Sequence, residues 1–188
     1  MRERDAGVVR YKQKVKPGGG KQKGSSFERE LCRELSLWVS DGKRDDLLWR
    51  SAISGGRATV RAKKGKITAH QAGDICAVHE LGHKLTNHFF IECKAYKDLK
   101  AATLVFHSSG TIVNFWNICR EQAATNDKAP MLVLRQNRFP TLIGLDMVGI
   151  DLLRQRRAIL CSFPMLDLHL LPLSLMVESE FHCVPQSK

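Results

Sequence analysis

Apolar residues first recur at helical spacing in Phe27, Leu31, Leu35 and Trp38, which predicts a helix capped by Ser26 and running to about Val39. Stepping about 100° per residue from Phe27, Trp38 falls at roughly 20°, Leu31 at roughly 40°, Leu35 at roughly 80° and Cys32 at roughly 140°. Glu28 lies at roughly 100°, inside that apolar arc, whereas Glu30 points the other way and Glu34 sits at its edge. A carboxylate aimed at a core has to be paired, protonated or bound to metal, so Glu28 draws attention. At the first turn an acid can equally serve only to favour the positive helix end.

Further along, the periodicity shortens. Leu47 to Ile53 reads as a strand closed by Ser54-Gly55-Gly56, and Asp74 to Val78 and Phe89 to Lys94 are short apolar runs bounded by turn residues. Ile112, Phe115, Trp116, Cys119 and Ala123 restore helical spacing over Thr111 to Asn126. Pro130 to Leu134 reads as a buried strand, and Asn137 to Pro140 as a turn. After Leu142 the pattern suggests a helix near Met147 to Arg157 followed by irregular or strand structure. Helix, three strands, helix, strand describes an α/β fold with a mixed central sheet flanked by helices.

Residues 1–26 are basic, poor in large apolar groups and interrupted by Pro17-Gly18-Gly19-Gly20, which predicts a flexible N-terminal arm ahead of one domain at 27–188. The chain has 188 residues, room for one domain with a proper core. Its 43% hydrophobic content excludes wholesale disorder.

Charge changes the picture. Thirty Lys and Arg stand against 19 Asp and Glu, a formal excess of +11. The cations cluster in the arm, including Lys21 and Lys23, in a basic loop carrying Arg57, Arg61, Lys63, Lys64 and Lys66, and at Arg154, Arg156 and Arg157. Clustered positive charge attracts a polyanion through counterion release, so DNA is the natural partner. The bland alternatives are solvated surface and an anionic membrane. Six scattered cysteines without a C-x-x-C pair suit a reducing compartment. The first residues lack a secretory h-region, and the richest late apolar stretch is too broken to cross a bilayer. The expectation is a soluble cytoplasmic protein.

Two motifs compete for the middle of the chain. In Gly73-Asp74-Ile75 and Ile91-Glu92-Cys93-Lys94, Glu92 and Lys94 are two apart on a strand and share a face. If the two strands run side by side as a hairpin, Asp74 and Glu92 chelate a hard cation such as Mg²⁺ or Mn²⁺, joined by the Cys93 carbonyl. Lys94 then orients or deprotonates a water, or offsets phosphorane charge, and Glu28 adds to the metal site or holds a second ion. Against this, His79-Glu80-Leu81-Gly82-His83 spells H-E-x-x-H, in which a helix places two histidines on zinc with Glu80 as base. The extended form of that motif fails, since Thr86 and Phe89 stand where Gly and His are required. The histidines can also be polar residues of an exposed turn.

Taken in order, several motifs resemble the PD-(D/E)XK restriction-like nucleases, and within them the archaeal-type Holliday junction resolvases and related phage endonucleases. Lys23-Gly24-Ser25-Ser26-Phe27-Glu28-Arg29 is similar to the resolvase opening, Ser54-Gly55 to the Ser-Gly after its first strand, and Gly73-Asp74-Ile75 to its Pro-Asp-Ile. Ile91-Glu92-Cys93-Lys94 is similar to its Ile-Glu-x-Lys, and Arg120-Glu121-Gln122-Ala123 to its later helix. The likeness spans about Lys23 to Arg138 and departs at Gly73, in the long hairpin, in the arm and after Pro140. It implies a restriction-endonuclease-like core at about 27–138 that hydrolyses DNA phosphodiesters with Mg²⁺ as a homodimer, and, on the resolvase side of the likeness, selectivity for branched DNA. It also implies Ser54 and Gln122 near the phosphate. A zinc peptidase and a noncatalytic DNA-binding protein on a decayed nuclease fold are the alternatives.

Overall fold

A computed structural model of the chain describes residues 19–51 and 72–183. Helix α1 (Gly19–Val39) buries Phe27, Leu31, Cys32, Leu35 and Trp38, the face set by the apolar spacing. It begins at Gly19 rather than at Ser26, so Ser26 lies within the helix and is not its cap. The run from Gly19 through Ser25 has no proline, and nothing covalent stops the helix extending N-terminally once Phe27 and Leu31 are docked.

Strands β1 (Leu48–Arg50) and β2 (Ile75–Ala77) form a short antiparallel ladder. The main sheet has five strands in the order β3 (Phe89–Tyr96), β4 (Ala129–Gln136), β5 (Leu142–Leu145), β7 (Leu168–Pro172), β6 (Cys161–Phe163). Only β3 and β4 are parallel, joined by a crossover containing α3 (Ala101–His107) and α4 (Thr111–Thr125). The remaining pairs are antiparallel, which makes the sheet mixed as the sequence predicts. The short helices α5 (Met147–Leu152) and α6 (Leu173–Glu178) complete the chain.

Alternation along β3 and β4 divides the core. Phe89, Ile91, Cys93, Met131 and Val133 face α1, while Phe90, Leu132 and Leu134 face Trp116, Cys119 and Ala123 of α4. Four successive residues of β4, Met131 to Leu134, are sealed on both sides, the signature of a central strand with helices on both faces.

The segment between β2 and β3 is not a hairpin loop. It winds as a 3₁₀ turn at Glu80–Gly82 and then α2 (His83–Thr86). Leu85 is fully buried in the core that faces α1, and burying it draws the linker inward instead of letting it arch over solvent. The chain beyond Pro140, weakly patterned in sequence, supplies three of the five strands. Among the described residues no helix is long and apolar enough to cross a membrane.

Candidate active site

The exposed edge of β3, away from β4, is where the acidic groups gather. Asp74 sits just before β2, and its backbone ties three segments together. Its carbonyl accepts the N–H of Ser51 at 2.7 Å, and its own N–H donates to the Ile91 carbonyl at 2.8 Å. Its Oδ2 then accepts the Cys93 N–H at 2.9 Å. Asp74 therefore lies against β3 as one rung of pairing, although β2 and β3 do not form a ladder.

Gly73 makes that approach practicable. Its φ is +86°, and a Cβ built there would stand 2.5 Å from the Ile91 carbonyl oxygen. Glycine alone combines that backbone conformation with that proximity. Proline, which the resembled motif has at this position, has φ fixed near −65° and could not adopt it.

On the α4 side of β3, Lys94 Nζ donates to Glu92 Oε1, and both side chains are largely shielded. The ammonium also lies 5.5 Å from the centroid of the Phe115 ring on α4. On the α1 side, Glu28 accepts from Arg50 Nε at 3.1 Å, and Arg50 Nη1 donates to Ser25 Oγ at 2.8 Å. Glu28 thus points inward as its helical angle requires, and its partner is an arginine of β1.

The electrostatics follow from crowding. Burial raises the Asp74 carboxyl above its ordinary range, with the Cys93 N–H and the charges of Lys94 and Arg50 acting against the shift. Glu92 is raised by burial and then by the charge of Asp74, and the Lys94 pair only partly offsets this. Glu28 is raised by burial and by Asp74, with Arg50 opposing. Burial pulls Lys94 downward, but the Glu92 hydrogen bond and the charges of Glu92 and Asp74 outweigh it, so the amine is held protonated. The Cys93 thiol is pushed far up by burial and stays neutral, so this residue can offer a metal only its main-chain carbonyl.

Three acids sharing a shielded edge against two cations form a site that favours an added positive charge. The donors are carboxylate and carbonyl oxygens, which suit a hard divalent ion that keeps several waters. Among the described residues no three His, Cys, Asp or Glu side chains come close enough to enclose an ion unaided. Glu28, engaged by Arg50, interacts by charge with both Asp74 and Glu92.

Other expected residues are not brought here. Gln122 is exposed on α4, about 10 Å further along the helix than Phe115 at 1.5 Å per residue, toward the opposite end of the sheet. Lys21 and Lys23 fall in the first turns of α1, and their side chains lie outside the described residues. Ser54, Arg57, Arg61, Lys63, Lys64 and Lys66 also lie outside them. Arg50 is the participant that apolar patterning passed over; a lone arginine within a short strand that faces Glu28 was its signal.

The zinc motif does not form its helix. His79 has extended backbone (φ −134°, ψ 150°), and its Nδ1 accepts the Leu81 N–H as a cap to the 3₁₀ turn. His83 opens the separate helix α2, so the two imidazoles are not successive turns of one helix face.

A family model described as "Phage putative PDDEXK endonuclease" matches residues 19–160. No curated protein and no solved structure matches the chain.

Proposed function

The chain belongs to this family of phage PD-(D/E)XK endonucleases, and from that premise we propose that it is a divalent-metal-dependent endonuclease of DNA, with Mg²⁺ as the working ion and Mn²⁺ as a substitute. The observation that carries the reading is the half-buried pair of Asp74 and Glu92: burial raises both carboxyls, and the charge of Asp74 raises Glu92 further.

Asp74 and Glu92 hold the ion, with the Cys93 carbonyl directed to the same edge as its N–H. A divalent cation bound there supplies Lewis acidity toward the phosphate and the attacking water. Lys94, held as an ammonium, orients the water and stabilises charge growing on the phosphate oxygens; it does not act as a base in this state. Glu28 and Arg50 engage one another next to Asp74, and both bear on its charge. The excess of +11 draws the DNA backbone whatever its sequence. The reading extends to a homodimer acting on branched DNA, supported by the resemblance of the α1 opening and the Glu92-x-Lys94 strand to junction resolvases.

Incubation of the purified protein with linear duplex, supercoiled plasmid and a four-way junction, in Mg²⁺, Mn²⁺ or EDTA, tests it. Cleavage that needs a divalent ion and is lost in Asp74→Asn and Lys94→Ala, but kept in His83→Ala, is the expected result. Full cleavage by Asp74→Asn overturns the assignment. Sedimentation of the same samples tests the homodimer.

A further inference from the structure

Beyond the acids, the same face of β3 ends in an aromatic residue that the chemistry does not use. Glu92, Lys94 and Tyr96 alternate along the strand, so Tyr96 stands about 7 Å past Lys94 on the same side. Its ring lies 5.3 Å from the ring of Phe115, tilted by 38°, and Phe115 is the ring that also faces the Lys94 ammonium. Phe115 therefore meets both side chains, and it packs against the Tyr96 ring. Tyr96 nevertheless remains 46% exposed. Lys97 follows it directly and Lys100 comes four residues on, with Asp98 between them, all three exposed.

A large, half-exposed ring that packs against a second ring, two residues past the Lys94 ammonium and next to Lys97, has the parts of a nucleobase platform. Bases inside a duplex already stack on both faces, and reaching one would require unstacking it. An unpaired base has a face to offer at no such cost. Resting on the endonuclease reading above, we propose that Tyr96, braced by Phe115, stacks on an unpaired base next to the cleaved phosphate, so that the preferred substrate is DNA with a single-stranded segment at the cut, such as a fork or flap.

The test uses a forked duplex with 2-aminopurine in its single-stranded arm beside the junction, and a fully paired duplex carrying the same base. Binding is read in EDTA, where no cleavage intervenes. The full-length protein should quench the fork probe and bind the fork more tightly than the duplex. Tyr96→Ala should lose the quenching and weaken fork binding by about tenfold, the scale of one stacked base, while duplex binding is unchanged. Tyr96→Trp should restore both. Tyr96→Leu, which keeps apolar bulk against Phe115 and so guards against a packing defect, should behave as Tyr96→Ala does. Intact quenching in Tyr96→Ala, or an equal loss on fork and duplex, overturns the platform. Cleavage with Mg²⁺ is scored separately. A protein that stacks the fork base but never cuts overturns the endonuclease reading alone, and one that cuts without quenching overturns the platform alone.

Discussion

Asp74 is anchored to Cys93: its Oδ2 accepts the Cys93 N–H at 2.9 Å across the edge of β3. One carboxylate thereby satisfies a strand-edge donor that would otherwise face solvent, and is brought beside the neighbouring Glu92. The fold and the proposed metal-binding role make opposite demands on Asp74, since its half-buried position disfavours its charge.

Asp74→Asn keeps an acceptor for the Cys93 N–H and removes the charge. Cleavage should fall to background, yet the metal-free variant should melt higher than the parent, by about 2–4 °C for each kcal/mol of the charge-burial penalty relieved. Adding Mg²⁺ should raise the melting temperature of the parent and leave the variant unmoved. Calorimetry with and without the ion reads all three.

Acidity should act on stability and activity in opposite directions. Because the folded carboxyls of Asp74 and Glu92 are raised, the unfolded chain gives up these protons first as pH climbs. This pair is thus neutral for stability below the ordinary carboxylate range and costs the metal-free fold stability as pH rises through the folded values. Cleavage needs the ionised forms, so its acid limb should lie above the ordinary carboxylate range. Raising the Mg²⁺ concentration should move that limb to lower pH, because ion and proton compete for the same oxygens. Rate profiles at two ion concentrations decide it, and a limb indifferent to Mg²⁺ would contradict the ligand assignment.

Gly73→Ala should disturb the site from the backbone. The variant needs a Cβ 2.5 Å from the Ile91 carbonyl oxygen at a φ of +86°, so it should lose about 1–3 kcal/mol of stability. Cleavage should drop more than stability explains, since Asp74 must move with its neighbour. Urea unfolding paired with cleavage assays of the folded fraction separates the two losses.

Arg50 and Glu28 should depend on each other. Arg50→Ala leaves a shielded carboxylate without its partner, and Glu28→Gln removes the need for one. A double-mutant cycle on stability should give a coupling of about 1 kcal/mol, in keeping with a pair that is partly exposed. A coupling indistinguishable from zero would show that the contact at 3.1 Å does not hold Glu28 in place.

Legibility in the sequence tracked how local each cause was. The inward angle of Glu28 needed only the helical repeat, and the shared face of Glu92 and Lys94 needed only strand alternation. The winding of His79 to Thr86 was not legible, because Val78, Leu81 and Leu85 suit a turn of helix and a loop alike, and burial of Leu85 against α1 settles it. The place of Gln122 was not legible for a similar reason: its motif fixes its place on a helix, while the antiparallel run of α4 relative to β3 fixes which end of the sheet it reaches.

By itself the sequence determined the α/β class, the apolar face of α1, the central strand at Met131 to Leu134, the inward angle of Glu28 and the shared face of Glu92 and Lys94, because each follows from a repeat of two or of about 3.6 residues. Only the tertiary structure decided that Asp74 joins the edge of β3 through Ile91 and Cys93, that Arg50 pairs with Glu28, and that Tyr96 and Phe115 meet beside Lys94. Those contacts join residues far apart in the chain, and their geometry depends on how helices and strands pack, which no local period encodes.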